Sequence, residues 1–477
     1  MAWAILIFSL LLFTLGVIYA LVTLFLIGLS LYEALHRNIV LGEVYSPLPN
    51  RPLRPAITLI APAYNEEAVI VPSVRSLLAS DYDPLEVLVI DDGSTDGTTE
   101  RLIEAFDLVP LPVGDRFQLE TQPVERNYIS RVDPRLRVVQ KEHGGRSDAL
   151  NVGLNLARND LVAMVDSDSL LDRDALARIV EVFSSDPDRV IAVGGTIRIV
   201  NGAVIQNGKL VEVRVPWRGT QATQVAEYFR AFFATRIAWA SMNGLLIISG
   251  AFGVFRRDVL RAVGGLSKAT LGEDMEVVMR IHAQLRPGRP DAKVLFAPDA
   301  TCWTEAPVSL GSLRGQRIRW HIGLLDNIGL HRKMIGRRRF GAVGLFALPY
   351  TILFEVLAPL LLIPSYVSLA VLLATDQIGW AFAVGLAIVL LLAAQLQTTG
   401  ALLIEDVAFS RSRARDVLTV ACWSLVEIFW YRPLTALWRT WATFLFLVKR
   451  RPGWGTIPRG VALAEAPTDV ASAPLSR

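Results

Sequence analysis

At 477 residues, 52% hydrophobic and 19% charged, the chain is too apolar for a wholly soluble protein and too charged to lie entirely in lipid. A formal net charge of +3 is small for this length and gives no reason to invoke nucleic acid. Two cysteines, Cys302 and Cys422, supply neither a disulfide framework nor a zinc-ligand spacing, so the soluble part is expected in a reducing compartment.

Residues 2–31 are almost unbroken apolar sequence. About 30 helical residues at roughly 1.5 Å each exceed one hydrocarbon core but cannot supply two spans, which predicts a single tilted helix within 1–36. The absence of a basic residue before Arg37 argues against a cleaved signal peptide. A Pro-rich connector, 45–55, then leads into a soluble domain over 45–305. Here "AITLIAPAYN" and "LEVLVIDDGS" read as strands separated by the helical "EAVIVPSVRSLLAS", a βαβ unit. The helical "DGTTERLIEAF" follows, then a loop of about 30 residues, 107–137, and strands at "LRVVQ", "LVAMVD" and "VIAVGGTIRIV". The fold class is therefore α/β, with an open, mostly parallel sheet whose ligand site lies at the carboxyl ends of its strands. Asn65, Asp91, Asp92, Asp166 and Asp168 fall at such ends.

Residues 306–339 are expected to form an amphipathic interface helix. Apolar sequence returns over 340–448, with spans at 342–373 and 378–404 joined by "TDQIG". Basic flanks at 331–339 and 411–415 and the Arg37 end of the first helix place the soluble domain in the cytoplasm of a cell-membrane protein. Arg432, Pro433 and Arg439 interrupt 417–448, which favours a re-entrant or interface-lying hairpin. Pro349, Pro359 and Pro364 predict kinks. Glu405, Asp406 and Glu427 read as ordinary interfacial residues, and 449–477 as a disordered tail. The stretch 201–235 carries no motif, although its aromatic and basic residues suit packing along a membrane surface.

Four constellations can carry chemistry. In "VDSDS", Asp166 and Asp168 are so close that each disfavours the other's ionisation; a hard divalent cation, Mg²⁺ or Mn²⁺, would remove the conflict. "VIDDGSTDGT" holds Asp91 and Asp92, and by itself reads more readily as a solvated cap or Asx-turn. Glu273 and Asp274 in "LGEDMEVVMRI" stand at a helix start, where the dipole alone would favour them. In "RGQRIRWHIG", Gln316, Arg319 and Trp320 share one helical face, suited to a ligand with hydroxyls and an apolar C–H face.

"APAYNEE", "IDDGSTDGT", "EHGGRSDALN", "VDSDS", "SGAFGVFRRDVL", "GEDM" and "QRIRW", in this order, resemble the membrane-embedded, processive family-2 glycosyltransferases, which include synthases of cellulose, hyaluronan and poly-N-acetylglucosamine. The resemblance covers about residues 55–325. It implies a GT-A nucleotide-sugar domain inserted between transmembrane helices. It further implies that Tyr64, Glu66, Asp91 and Asp92 line a uridine pocket and that Arg146, where relatives often have Lys, lies near the diphosphate. Asp166 and Asp168 would match the DxD metal motif, Asp274 the catalytic base, and Gln316, Arg319 and Trp320 the QxxRW motif near the diphosphate and acceptor.

The implied activity is inverting transfer from a UDP-sugar, UDP-N-acetylglucosamine first and UDP-glucose second. The product would be a β-linked polysaccharide moved across the membrane, with export proteins as possible accessories. One rival is transfer of a single sugar to a lipid acceptor. Another, from a different class, is an inactive glycosyltransferase-like membrane receptor or scaffold, against which the intact acids argue.

Overall fold

The computed structural model describes residues 2–44, 54–112, 117–206, 209–409 and 413–450. The connector 45–53 and the segment 451–477 lie outside the described residues.

A long first helix, α1 (Ala2–Val44), contains the apolar span expected near the start of the chain. The βαβ unit follows as β1 (Ile57–Ala63), α2 (Ile70–Leu78) and β2 (Leu85–Asp91), with the two strands parallel, and then α3 (Thr98–Phe106). Residues 107–137 are not one loop. They hold β3 (Leu108–Leu111) and β4 (Val124–Ser130), which extend the sheet antiparallel to β5 (Leu136–Lys141). Next come α4 (Arg146–Leu156), β6 (Leu161–Val165), β7 (Leu170–Leu171), α5 (Ala175–Ser185) and β8 (Val190–Ile199). A small hairpin, β9 (Val204–Gln206) and β10 (Lys209–Glu212), precedes α6 (Gly219–Phe229). A π-helical turn, Arg230–Arg236, joins α6 to α7 (Ile237–Ser241). The domain finishes with β11 (Phe252–Arg256), α8 (Arg257–Ala262), α9 (Glu273–Leu285), β12 (Lys293–Thr304) and α10 (Leu310–Leu330).

The ten-stranded sheet runs β3-β4-β5-β2-β1-β6-β11-β8-β12-β7. Only its centre, β5-β2-β1-β6, and the β8–β12 pair are parallel; the sheet is mixed rather than mostly parallel. The central strands are buried on both faces, which explains their continuous Ile, Val and Leu runs.

Among the described residues, three segments are long and apolar enough to cross a membrane: Phe13–His36, Val343–Ala374 and Trp380–Val407. The second is assembled from a π turn (Val343–Ala347), α11 (Leu348–Tyr350), another π turn (Thr351–Leu357) and α12 (Ala358–Ala374). Pro349 and Pro359 fall in the first turns of α11 and α12, where the missing amide hydrogen bond is tolerated, and Pro364 lies inside α12. The third span lies in α13 (Trp380–Phe409). The last stretch holds two shorter helices, α14 (Ala414–Val426), which packs on α6 and α13, and α15 (Tyr431–Leu447), which packs on α10 and α12. The apolar face of α10, expected to rest on lipid, is covered by α15: Ile318 and Ile322 pack with Ala442, Trp438 and Leu445. It is α15 that presents an exposed apolar row, including Leu437, Trp441, Phe444 and Leu447.

Candidate functional site

The loops after β1 and β2 are laced together before any ligand is considered. Asn65, in the left-handed region at φ 55°, accepts from the Thr95 amide at 2.8 Å, and the Glu66 amide donates to Thr98 Oγ1 at 2.9 Å. Asp91 is fully buried and does not reach the cavity wall. Its carboxylate accepts from the Ser94 amide at 2.9 Å and from the Thr99 hydroxyl, holding the turn that follows β2. Gly93 completes that turn at φ 72°, where an added Cβ would lie 2.9 Å from the His143 nitrogen.

Asp92 does line the cavity, but its oxygens are already occupied by Lys141 Nζ at 2.5 Å and by the amides of Gly144 and Gly145 at 3.0 and 2.7 Å. The fully buried Lys141 also meets Asp148 at 2.8 Å. Burial alone would raise the Asp148 carboxyl; hydrogen bonds from Lys141 and Lys268 outweigh it and hold the group below the usual carboxylate range. This network fixes the 142–146 loop, which brings the His143 ring within 4.5 Å of the half-exposed Tyr64 ring. Both rings face the cavity, an apolar platform of the kind a nucleobase stacks on.

Arg146 opens α4 and is the hub of the cleft. Its Nε and Nη2 donate to Asp166 Oδ1 at 3.0 and 2.8 Å, Nη1 to Glu273 at 2.7 Å, and Nη2 to the Gly250 carbonyl at 2.7 Å. Burial disfavours this charge, but Asp166 and Glu273 overcome the penalty and push its pKa further up. Asp166 and the buried Asp168 line the same cavity. Among the described residues no three His, Cys, Asp or Glu side chains converge as a metal cage. A pair of carboxylates nonetheless fits Mg²⁺ or Mn²⁺, which keeps waters and shares substrate phosphates rather than demanding an all-protein shell.

Asp274 stands at the start of α9, its oxygens accepting from the Gly250 amide at 3.1 Å and the Met275 amide at 2.8 Å. Burial and the neighbouring Glu273 raise its pKa, Arg146 and the two amides pull it back, and the balance leaves it at about 6. Close approach of α10 sets its position. Gly323 touches the start of α9 so tightly that a Cβ there would fall 2.8 Å from the Gly272 nitrogen, and Asn327 Nδ2 donates to the Gly272 carbonyl at 2.8 Å. Met275 and Met279 form the apolar side of α9, packing on Met334, Phe340 and Val343.

Gln316, Arg319 and Trp320 all line the cavity from α10. Gln316 Oε1 is buried without a hydrogen-bond partner among the described residues, an acceptor suited to a ligand hydroxyl. Trp320 stands with its ring half-exposed. Beneath it lies a triad that spacing alone does not reveal. Arg317 Nη1 meets Glu227 at 2.8 Å, Nη2 meets the Tyr431 hydroxyl at 3.2 Å, and that hydroxyl donates to Glu227 at 2.7 Å.

The cavity measures about 3600 Å³ and runs from Tyr64 and His143, past Asp274 and Trp320, to Tyr19, Tyr350 and Phe354 of the apolar spans. Ten of the eleven predicted site residues share it; Asp91 is the exception. Within the unmotifed stretch 201–235, it is α6 and the π turn after it that stand between cleft and apolar helices, packing against α1, α13 and α14. Glu405 and Glu427 are not ordinary interfacial residues: both are fully buried, with Arg198 at 2.5 Å from Glu405 and Arg230 at 2.9 Å from Glu427.

Comparison with known proteins places residues 58–264 within the glycosyl transferase family 2 domain. Over 267 residues the chain is 28% identical to poly-beta-1,6-N-acetyl-D-glucosamine synthase of Staphylococcus aureus strain COL, and 27% identical to the synthase of Staphylococcus epidermidis. Each match covers 56% of this chain and 54% of the relative, so the chain spans about half the length of the curated relatives it matches. Among solved structures, the mannosyltransferase PcManGT from Pyrobaculum calidifontis, in complex with GDP-Man and Mn²⁺, aligns with a TM-score of 0.49 and 19% identity over 91% of this chain and 99% of that one. S. aureus TarS 1–349 in complex with UDP-GlcNAc aligns with a TM-score of 0.35 and 18% identity over 57% and 66%. Residues 58–264, which carry the central strands of the sheet, thus match the glycosyl transferase family 2 domain.

Proposed function

We propose that the protein is an inverting membrane glycosyltransferase that extends a β-linked glycan from a UDP-sugar at the cytoplasmic face. The observation that carries this reading is one cavity lined by Asp274, with a pKa near 6, by the Asp166–Asp168 pair and by the Gln316–Arg319–Trp320 face. A carboxylate with that pKa is charged at neutral pH yet basic enough to take the proton of an attacking hydroxyl. Displacement from the opposite side of the sugar ring inverts the anomeric centre and needs no covalent enzyme intermediate. Tyr64 and His143 would seat the base of the nucleotide. Arg146 and Arg319 would supply charge-assisted hydrogen bonds to the diphosphate. Asp166 and Asp168 would hold Mg²⁺ or Mn²⁺, which when bound neutralises charge developing on the departing diphosphate.

The synthase relatives support UDP-N-acetylglucosamine as the first donor to test and UDP-glucose as the second. The basic flanks of the apolar spans support the cytoplasmic orientation. Aromatic contacts between Trp239 and Tyr350 at 5.3 Å and between Tyr350 and Phe354 at 5.1 Å line the route out of the cleft, as suits a sugar chain entering the membrane part. A second reading, transfer of one sugar to a lipid, is favoured by the aliphatic far end of the cavity, lined by Leu361, Leu362, Leu369, Leu372 and Leu386.

Purified protein given each UDP-sugar with Mg²⁺ or Mn²⁺ separates the readings. UDP release with long glycan supports the synthase, and UDP release with only a glycolipid supports the lipid transferase. No UDP release from any donor sinks both in favour of a scaffold.

A further inference from the structure

Several arginines that line the cleft are matched to carboxylates. Arg146, Arg230, Arg317 and Arg439 each meet a carboxylate within 2.9 Å. Arg236 also lines the cavity but makes no hydrogen bond or ion pair among the described residues. Its guanidinium carbon lies 3.9 Å from the centroid of the Phe232 ring, so one face is packed while the edge that carries the donors is left for something else. The residue ends the π-helical turn Arg230–Arg236, a rare geometry that recurs at functional sites. Burial pulls its pKa down to about 10 against the opposing pull of Asp274, the sign of a cation held out of water without a full counter-charge.

We infer that Arg236 is an oxyanion-binding residue on the membrane side of the cleft, and that its ligand is a phosphate group of a substrate. A planar fork of donors suits phosphate oxygens, and an unmatched cation beside Asp274 would hold such a group next to the attacking hydroxyl. Two substrates can bring that chemistry: the diphosphate of the nucleotide sugar, or a phosphate at the head of an amphiphilic acceptor whose tail follows the aliphatic lining. The inference rests on the reading of this cavity as the transfer site.

The test is binding, not turnover. Full-length protein in detergent is titrated with UDP and with dodecyl phosphate, comparing wild type with R236Q and R236K. R236Q is expected to weaken one probe by roughly tenfold to a hundredfold and leave the other within about twofold. Loss for UDP assigns the oxyanion to the donor; loss for dodecyl phosphate assigns it to the acceptor. R236K keeps the charge without the fork and is expected to fall between, about threefold or more weaker, so it serves where R236Q fails to fold. Unchanged affinity for both probes in whichever variant folds overturns the inference. Asp274→Asn, with Arg236 intact, separates this from failure of the transfer reading: it should stop transfer while keeping both affinities. Full turnover in that variant would sink the transfer reading and leave the anion site standing.

Discussion

The Arg317 guanidinium carbon lies 4.6 Å from the centroid of the Trp320 ring, and Glu227 and Tyr431 hold it there from two other helices. The indole that faces the cavity is thus backed by a cation whose own orientation is fixed by a carboxylate and a phenol. Side chains locked this way present a ligand-facing plane at little further entropic cost on binding. Glu227→Gln, which keeps the shape and removes the charge, is expected to raise the acceptor KM about tenfold while the donor KM stays within about twofold. Equal changes in both would mean that the triad supports the fold and not the acceptor face.

Asp274 predicts the pH profile. A base with a pKa near 6 must be deprotonated to act, so turnover should fall as pH drops through about 6. Stability should move in the opposite direction. Because the folded-state pKa is raised above the ordinary carboxylate value, the folded protein binds this proton more tightly than the unfolded chain, and stability declines as pH rises from about 4 to about 6. Asp274→Asn is therefore expected to lower the rate at least 100-fold and, at neutral pH, to stabilise the protein by on the order of 1–3 kcal/mol. Rate measurements from pH 5 to 8 and thermal unfolding of the variant check both signs.

The carboxylate pair predicts metal dependence with unequal partners. Asp166 is engaged by Arg146 through two hydrogen bonds, whereas Asp168 is buried beside it. Asp168→Asn is expected to reduce transfer at least 100-fold, as should chelation of divalent ions, with Mg²⁺ or Mn²⁺ restoring activity to the chelated wild type only. Asp166→Asn should in addition free Arg146, which shows as an altered UDP affinity. Undiminished transfer after chelation would remove the metal from the account.

A fourth prediction concerns the joint between domain and membrane part. Arg198 of β8 meets the fully buried Glu405 of α13 at 2.5 Å and lies over the rings of Phe229, Phe233 and Trp303. Arg198→Met leaves a buried carboxylate alone and should cost about 3–5 kcal/mol, read as a lowered unfolding temperature in detergent. Adding Glu405→Gln should recover much of that loss, because the unmatched charge is then gone.

What could be read from the chain and what could not divide along sequence distance. β1, α2, β2, β6 and α9 are local patterns of period 2 or 3.6, and the apolar spans are simple runs. β3 and β4 were not visible because they are outer strands, short, interrupted by Pro110 and rich in charge, as edge strands are. The antiparallel insertion of β11 between β6 and β8 leaves no local signal either. Motif clusters placed ten site residues on one cavity, but they did not distinguish Asp91, whose Asx-turn geometry is what its sequence alone also allowed. The Glu227–Arg317–Tyr431 triad joins residues 90 to 204 positions apart, and Arg236 stands out only once the carboxylate partners of Arg230 and Arg317 are placed.

The turn that carries Arg236 closes its backbone with i→i+5 bonds, one residue more per loop than its neighbours α6 and α7. Deleting a single residue there would let the segment relax to i→i+4 closure while α6 and α7 keep their faces, because the wide turn is what absorbs the extra residue. Trp239 would stay against Tyr350, and the side chains carried by the turn itself would change face, with the composition of the segment otherwise unchanged. Register, rather than residue type, is thus the variable by which a relative of this protein could gain or lose the guanidinium at that place.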